Sequence, residues 1–396
     1  MTEPSPSVPG MNTGQGESRR KLLIAIILVV VFLYWSGLYL YMPTLPVYVQ
    51  GKVENLAVVG TILSMYGLWQ MIVRLPIGIA ADWLGRRKPF ILVGLVLVAL
   101  GAWVLGHSDS TGGLFLGRAI TGLAAGTWVP LVVVFSGLFR PEEAIRATAL
   151  LTMVSSLSKI VATGLTGWIN TASGGYLLAF ELAALVAGVG LVVMLFFPEK
   201  RQPKTEMNLG KLGRLIGRRD VLLPALLNAV IQYGDWAATF SFIPIVVKRM
   251  GASGVVQSSM LSMNTGIVLV GNLLAASLVK RFGQQRLALA CFSGLALGIT
   301  GVALAPSLPW VFLSQGCIGL SVGAGYPLLM GMSISKVNGS ERTIAMGLHQ
   351  AVYAIGMFAG PWLSGIIANG LGIAPMFGIT GFAILVIGYL GIKEIR

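Results

Sequence analysis

The stretch GIAADWLGRRK, Gly78 to Lys88, ends one long apolar segment and starts the next. It holds one acid (Asp82), a turn glycine (Gly85) and three bases (Arg86, Arg87, Lys88) in a chain that is otherwise 55% hydrophobic and only 11% charged. The mean hydropathy is +0.82. A soluble domain is about a quarter charged, so a charge cluster between two such segments belongs at a membrane surface.

Working outward from this loop, a bilayer span needs about 20 apolar residues. Twelve such runs are present: Leu22–Met42, Leu56–Ile79, Pro89–His107, Gly113–Leu138, Ala144–Ile169, Gly175–Phe197, Val221–Val246, Gly254–Val279, Leu287–Ala305, Pro309–Ile334, Thr343–Ala368 and Leu371–Leu390. Lipid cannot satisfy backbone N–H and C=O groups, so segments this long are expected to be helices. The expected fold is an all-α integral membrane protein with twelve transmembrane helices. The 52 glycines suit it, because small residues let membrane helices approach closely.

The formal charge of +14 follows topology. With the N-terminus in the cytoplasm, Arg19, Arg20, Lys21, Arg86, Arg87, Lys88, Arg140, Arg146, Lys200, Arg201, Lys204 and the bases of the later even-numbered turns fall inside, whereas Lys52, Lys248 and Arg249 fall outside. That asymmetry is the positive-inside rule; it places both termini in the cytoplasm and argues against nucleic acid as a partner. The lipid bilayer is the expected partner, in a multi-pass cell-membrane protein. Cys291 and Cys317 both lie inside apolar runs and read as packing residues. His107 and His349 fall near opposite faces, so no metal site is expected, and no GxxxxGK[ST] phosphate loop or other cofactor motif is present.

Residues 1–20 are polar and read as a disordered tail; 21–198 form the first six-run bundle, 199–220 a basic linker and 221–396 the second bundle. Within the linker, Leu209, Leu212, Leu215 and Ile216 alternate with Lys211, Arg214, Arg218 and Arg219. This reads either as an amphipathic helix on the anionic leaflet or as a solvated connection. The halves repeat. GRAITGLAAGTWVPL (Gly117–Leu131) aligns with SQGCIGLSVGAGYPL (Ser314–Leu328), pairing Gly122 with Gly319, Gly126 with Gly323 and Pro130 with Pro327. The loop repeats too, Gly85 matching Gly283, but Lys280 stands where the first copy has Asp82. Two pseudo-symmetric bundles around a central site are a common transporter design.

On these residues the chain resembles the major facilitator superfamily. Gly78, Asp82, Gly85, Arg86 and Arg87 fill its G-x-x-x-D-x-x-G-R-R loop, and LFLGRAITGLAAG, with Arg118, resembles its second motif, found among proton-coupled members. The resemblance is to the proton-coupled drug-efflux branch, with one departure: Gly164 in the fifth run is followed by Leu165 rather than proline, while Gly360-Pro361 occupies the related place in the eleventh. The resemblance implies alternating access, proton antiport and a small-molecule substrate. It also implies that Asp82, Arg86 and Arg87 latch the two halves near the start of the eleventh run, Ser340–Thr343.

Ionisable groups inside spans are costly and therefore functional candidates. They are Asp235, Lys159, Arg118, Glu181 and Arg74, with His349 as a titrating member. Asp235 lies about 21 Å along the seventh helix at 1.5 Å per residue, past the bilayer centre, where it can carry a proton, meet a cationic substrate or pair with Lys159. Lys159 needs Asp235, Glu181 or an acidic substrate as its anion. Arg118 is a coupling partner or a helix brace. Glu181 is near a membrane face and able to snorkel. Arg74 reads as part of the latch or as a headgroup contact. Tyr34, Trp35, Trp128, Trp236 and Tyr326 would line a central cavity by the family architecture, and otherwise serve as packing or interface rings.

Gly319-Leu-Ser-Val-Gly323 matches a nucleophile pattern but lies inside an apolar run without triad partners. Asn338-Gly-Ser340 is a glycosylation triplet placed in the cytoplasm. The expected function is proton-coupled export of small amphipathic compounds, with no enzymatic activity. A proton-linked carrier of an organic anion is the alternative from the same class, and a non-transporting membrane receptor or assembly factor the alternative from another.

Overall fold

The computed structural model describes residues 13–199, 209–338 and 341–395. Twelve helices in it are long and apolar enough to cross a membrane: α1 (Glu17–Tyr39), α2 (Leu56–Leu84), α3 (Lys88–His107), α4 (Thr111–Ser136), α5 (Arg146–Ser173), α6 (Leu177–Leu195), α7 (Arg219–Arg249), α8 (Gly254–Phe282), α9 (Gln284–Ala303), α10 (Leu308–Ser335), α11 (Ile344–Leu371) and α12 (Ile373–Lys393). The connections are short, so neighbouring spans run antiparallel. The Asp82 and Lys280 turns therefore share one face with α1's start and α12's end, called the basic face below. Most of residues 1–20 and 200–208, together with Ser340, lie outside the described residues.

Two helices are broken, each for a proline. Pro130 has no N–H to give the Gly126 carbonyl, and α4 parts at Thr127, whose N–H closes a tighter bond to Ala124 O at 2.9 Å. Pro244 likewise offers nothing to Phe240, and the turn before it widens into a π-helix over Ala238–Phe242. Such bulges concentrate at functional sites. Both breaks lie beside the centre of the molecule, next to Trp128 and Asp235 respectively.

The bundles meet along two helix pairs. In α2–α11, a Cβ on Gly60 would sit 2.2 Å from Pro361 O, and one on Gly67 2.5 Å from the Met357 backbone. In α5–α8, a Cβ on Gly167 would sit 2.3 Å from Gly254 O, and Ser262 Oγ donates to Ile160 O at 2.9 Å. These glycines let the bundles approach to backbone contact.

The helix ends on the basic face are tied by charge. Gly85 ends α2 in the left-handed region (φ 65°), where glycine carries no Cβ penalty. Glu199, beyond α6, accepts from the backbone N–H groups of Arg87 and Lys88 (2.5 and 2.8 Å), while Lys88 Nζ donates to Leu195 O and Phe197 O (2.8 and 2.7 Å). One acid and one base thus close the start of α3 and the end of α6 together, each matching the local helix dipole. Arg20 pairs with Glu143 and donates to Leu138 O at 2.8 Å, fixing α1 to the α4–α5 connection. Part of the basic linker forms the helix Leu209–Ile216. Its Leu215 is fully buried among Val221, Ala225, Val337 and Ala345. The amphipathic-helix reading thus holds against the solvated connection, with Leu215 anchoring the helix on the second bundle.

Gly60→Ala is expected to lower the thermal stability of the detergent-solubilised protein by roughly the 1–3 kcal/mol of an overpacked site. Gly188→Ala, where an added Cβ meets nothing within 4 Å, is the control and should leave the melting temperature unchanged or slightly higher. Glu199→Ala should cost about 1 kcal/mol, the usual scale of a lost helix cap, with Glu199→Gln milder because its amide oxygen still accepts; the same melts measure both.

Candidate functional site

Between the bundles lies a cavity of about 280 Å³, at the small end of ligand sites. On the face opposite the termini it is closed by rings. Tyr66 of α2 stacks on Trp236 of α7 at 5.1 Å, Trp236 on Phe240 at 4.7 Å, and Tyr39 of α1 meets Phe240 edge-on at 6.3 Å. Beyond them the short helix Leu45–Gln50 packs against Ile243–Arg249.

The cavity's polar residues come as helical stripes. α2 contributes Tyr66, Gln70 and Arg74, each four residues from the last; α5 contributes Ser155 and Lys159; α7 contributes Gln232, Asp235 and Trp236; α8 contributes Asn264 and Asn272, two turns apart. Spacings of three and four put each set on one helix face. Tyr66, Gln70, Asn264, Asn272 and Tyr353 were not singled out by sequence reasoning, although the i, i+4, i+8 polar spacing in apolar runs was there to be read.

Asp235 and Lys159 both line this cavity. Asp235 is 6% exposed, and its Oδ1 has no hydrogen-bond partner. Lys159 Nζ lies over the Trp35 ring at 3.8 Å and near the Tyr39 ring at 5.1 Å. Among the described residues no ion pair within 4.0 Å joins the two, so of the readings open from the sequence the pairing of Lys159 with Asp235 is not formed. Beside Asp235, Asn264 Nδ2 donates to Gln315 Oε1 at 2.8 Å and Thr239 Oγ1 to the same oxygen at 3.2 Å, knitting α7, α8 and α10.

Arg74 requires a correction. It is not at the headgroups: it is 5% exposed, lines the cavity, and donates to Tyr353 Oη of α11 at 2.8 Å with its guanidinium 5.5 Å from that ring. A base of the first bundle thus bonds a phenol of the second. Trp35, Trp128, Trp236 and Tyr326 line the cavity. Tyr34 is buried behind it, donating to Ala124 O at 2.6 Å and holding α1 against the break in α4.

The remaining candidates lie elsewhere. Arg118 is 1% exposed, donates to Leu63 O at 3.3 Å and sits 4.8 Å over the Tyr66 ring, bracing α4 on α2 behind the ring seal. Its place lets it fix Tyr66, not touch a cavity ligand. His349 is fully buried with both nitrogens engaged. Asn228 Nδ2 donates to Nε2 and Nδ1 bonds Ser333 Oγ, both at 2.8 Å, and Ser333 passes the chain to Val221 O. That network joins α7, α10 and α11 below the cavity. Glu181 is half-exposed, with Oε1 3.7 Å from His107 Nε2 near the opposite face. In the loop, Asp82 Oδ1 accepts from Arg87 Nη2 at 2.6 Å, Arg86 is exposed, and Gly78 faces Val129. The Gly319–Gly323 pattern lies inside α10, where both glycines press on α8.

A cavity between two repeated six-helix bundles, flanked by broken helices, is a transporter arrangement, and comparison with known proteins agrees. The model of the Major Facilitator Superfamily matches residues 27–227 and again 225–393. The inner membrane transport protein YajR of Escherichia coli (strain K12) is 31% identical over 163 residues, 40% of this chain and 35% of YajR. The chain thus spans about a third of that relative. Multidrug resistance protein 1 of Bacillus subtilis (strain 168) is 22% identical over 366 residues, 88% of this chain and 90% of that one. Among solved structures, the bacterial homolog of the human lysosomal transporter Spinster, inward-facing and occupied, superimposes with a TM-score of 0.79 at 13% identity, covering 95% of this chain and 96% of that one. The nucleoside transporter NupG does so with 0.75 at 16% identity, covering 94% and 99%. These structural likenesses are likenesses of fold. Matched twice over nearly its whole length, the chain belongs to the Major Facilitator Superfamily and is a multi-pass membrane transporter.

Proposed function

We infer that this transporter exports small amphipathic aromatic compounds in exchange for protons, by alternating access, with both termini in the cytoplasm. The observation that carries the reading is Asp235: a carboxylate at the bundle interface, almost wholly buried, with one oxygen unpartnered and facing a ring-lined cavity. A carboxylate so placed can exchange a proton for a substrate's polar group as access alternates. Rings such as Trp35 and Trp236 suit flat apolar cargo, and a multidrug-resistance relative over 88% of the chain supports efflux. The density of bases on the face of the termini supports the cytoplasmic assignment. The boundaries 21–198 and 221–396 are proposed as the rocking units.

The ring closure on the opposite face supports a state that opens toward the basic face. In it Asp82 is engaged by Arg87 of its own loop. The α2–α11 register pairs Gly60 with Gly365, Gly67 with Met357 and Leu75 with Gly347. Continued, it carries Asp82 to the start of α11. Gly78, Asp82, Gly85, Arg86 and Arg87 are therefore proposed as a latch that re-pairs across the bundles when the basic face closes. A second reading, a proton-linked organic-anion carrier, is favoured by Lys159, which has no carboxylate within 4.0 Å among the described residues.

In proteoliposomes with an imposed pH gradient, Asp235→Asn should abolish gradient-driven dye movement while leaving assembly intact; undiminished flux would remove Asp235 from the coupling step. Asp82→Asn should insert normally yet slow turnover several-fold. Wild-type turnover by that variant would leave the loop as a topology anchor only. If dye movement never depends on the protein while a labelled organic anion accumulates through Lys159, the second reading holds.

A further inference from the structure

Four residues lining the central cavity each leave a buried polar atom without a partner: Trp35 Nε1, Arg74 Nε, Gln70 Oε1 and Asp235 Oδ1. All four side chains belong to residues less than a tenth exposed. A buried polar atom left unpaired is costly, and native interiors keep few of them. Seven others are spread over the rest of the described residues, but four gather around this one cavity, where a ligand entering it can complete them.

The atoms are sorted by charge and by bundle. Lys159 Nζ, the Arg74 guanidinium and the Trp35 N–H are donors or cations, and all three belong to the first bundle. The one carboxylate, Asp235, belongs to the second. Gln70 Oε1 adds a neutral acceptor on the first. Lys159 and Asp235 do not satisfy one another. A purely cationic ligand answers Asp235 and leaves the cationic pole bare; a purely anionic one does the reverse.

The geometry points to a zwitterionic aromatic substrate, its carboxylate on Lys159 and Arg74, its ammonium on Asp235, and its apolar body against the rings of Trp35, Trp128 and Trp236. The inference rests on the exporter reading above and names its substrate class. Such a molecule touches both bundles with opposite charges. Only a ligand with different affinities for the two states of the protein shifts their balance, and one that bridges the halves has that property. A ligand held by a single bundle rides with it unchanged. The ammonium also occupies the carboxylate that would otherwise take the exchanged proton, which makes cargo and proton alternatives at one atom.

The test uses the full chain, purified in detergent, and two spacers: 4-(aminomethyl)benzoic acid and 4′-(aminomethyl)biphenyl-4-carboxylic acid. Each is compared with its methyl ester, which keeps only the positive charge, and its N-acetyl derivative, which keeps only the negative. Binding is read by quenching of tryptophan fluorescence and by thermal shift. For at least one spacer the zwitterion should bind tenfold or more tighter than either derivative. Lys159→Gln should erase that advantage without weakening the ester. Asp235→Asn should erase it without weakening the N-acetyl form. Equal binding of the three forms with both spacers overturns the inference, as does a uniform loss of all ligands in both variants.

Flux through proteoliposomes separates this from the exporter reading. If the charge pattern appears in binding but no compound crosses, recognition stands and export falls. If amphipathic dyes are pumped with no preference for the zwitterion, export stands and the substrate class falls.

Discussion

The structure depends on one constraint: inside a lipid core, a polar group must find its partner within the protein. The backbone obeys by forming twelve helices. Most buried polar side chains obey by pairing within the helix packing. Arg118 has Leu63 O and the Tyr66 ring; His349 has Asn228 and Ser333; Thr166, on α5, donates to Leu40 O at 2.6 Å. Single atoms are still left over in the bundles, Arg118 Nε and Asn228 Oδ1 among them, but the densest group faces the cavity, where Trp35, Gln70, Arg74 and Asp235 each keep an unsatisfied atom. The gathering of unpaired atoms around one space, against scattered single ones elsewhere, is what distinguishes site from scaffold.

The same constraint explains how two rigid bodies can touch without fusing. Bonds such as those around His349 stay within one bundle. Between bundles, contact is largely glycine against backbone, as at Gly60–Pro361 and Gly167–Gly254, with a few replaceable polar links, Arg74 to Tyr353 and Ser262 to Ile160. Such surfaces suit the rocking proposed above, because few directional bonds join the bundles. The ring seal of Tyr66, Trp236 and Phe240 is of the same character, because stacked rings can part without stranding a hydrogen bond.

Much of this was legible in the sequence. Span count, the two-fold repeat and the glycine-rich packing faces follow from hydropathy and spacing, because lipid leaves the backbone no other solution. Asp235 and Lys159 were legible as costly residues in apolar runs, and the cavity tryptophans through the architecture that the family resemblance implies. What the sequence could not show was pairing. Asp235 and Lys159 look like mutual partners by charge, yet Lys159 rests on Trp35 instead. Arg74 looks like a headgroup contact by its distance from the end of α2, yet it turns inward to Tyr353, 279 positions away in the chain. Glu199 carries no signal of its role in the sequence. Only the return of α6 beside α3 makes it a cap. Each of these depends on which helix faces which, and periodicity gives a helix its faces but not its neighbours.

The asymmetry between the repeats follows the same logic. In the first half the turn carries Asp82, paired with Arg87, and Glu199 covers the amides that open α3. In the second, Lys280 replaces the acid, Glu394 is drawn to Arg219 on α7, and α9 opens on Gly283 without a side-chain cap. One half therefore carries a self-contained charge cluster and the other a looser one, although both descend from the same pattern of turn glycine and bases. If the two turns were electrostatically identical, each bundle would meet the basic face in the same way and neither would bias the rocking. With the acid in one turn only, the latch proposed above has its carboxylate at the α2 end and none at the Lys280 turn. On that proposal a single such contact holds one state of the transporter and releases it, where two symmetric ones would hold it twice over.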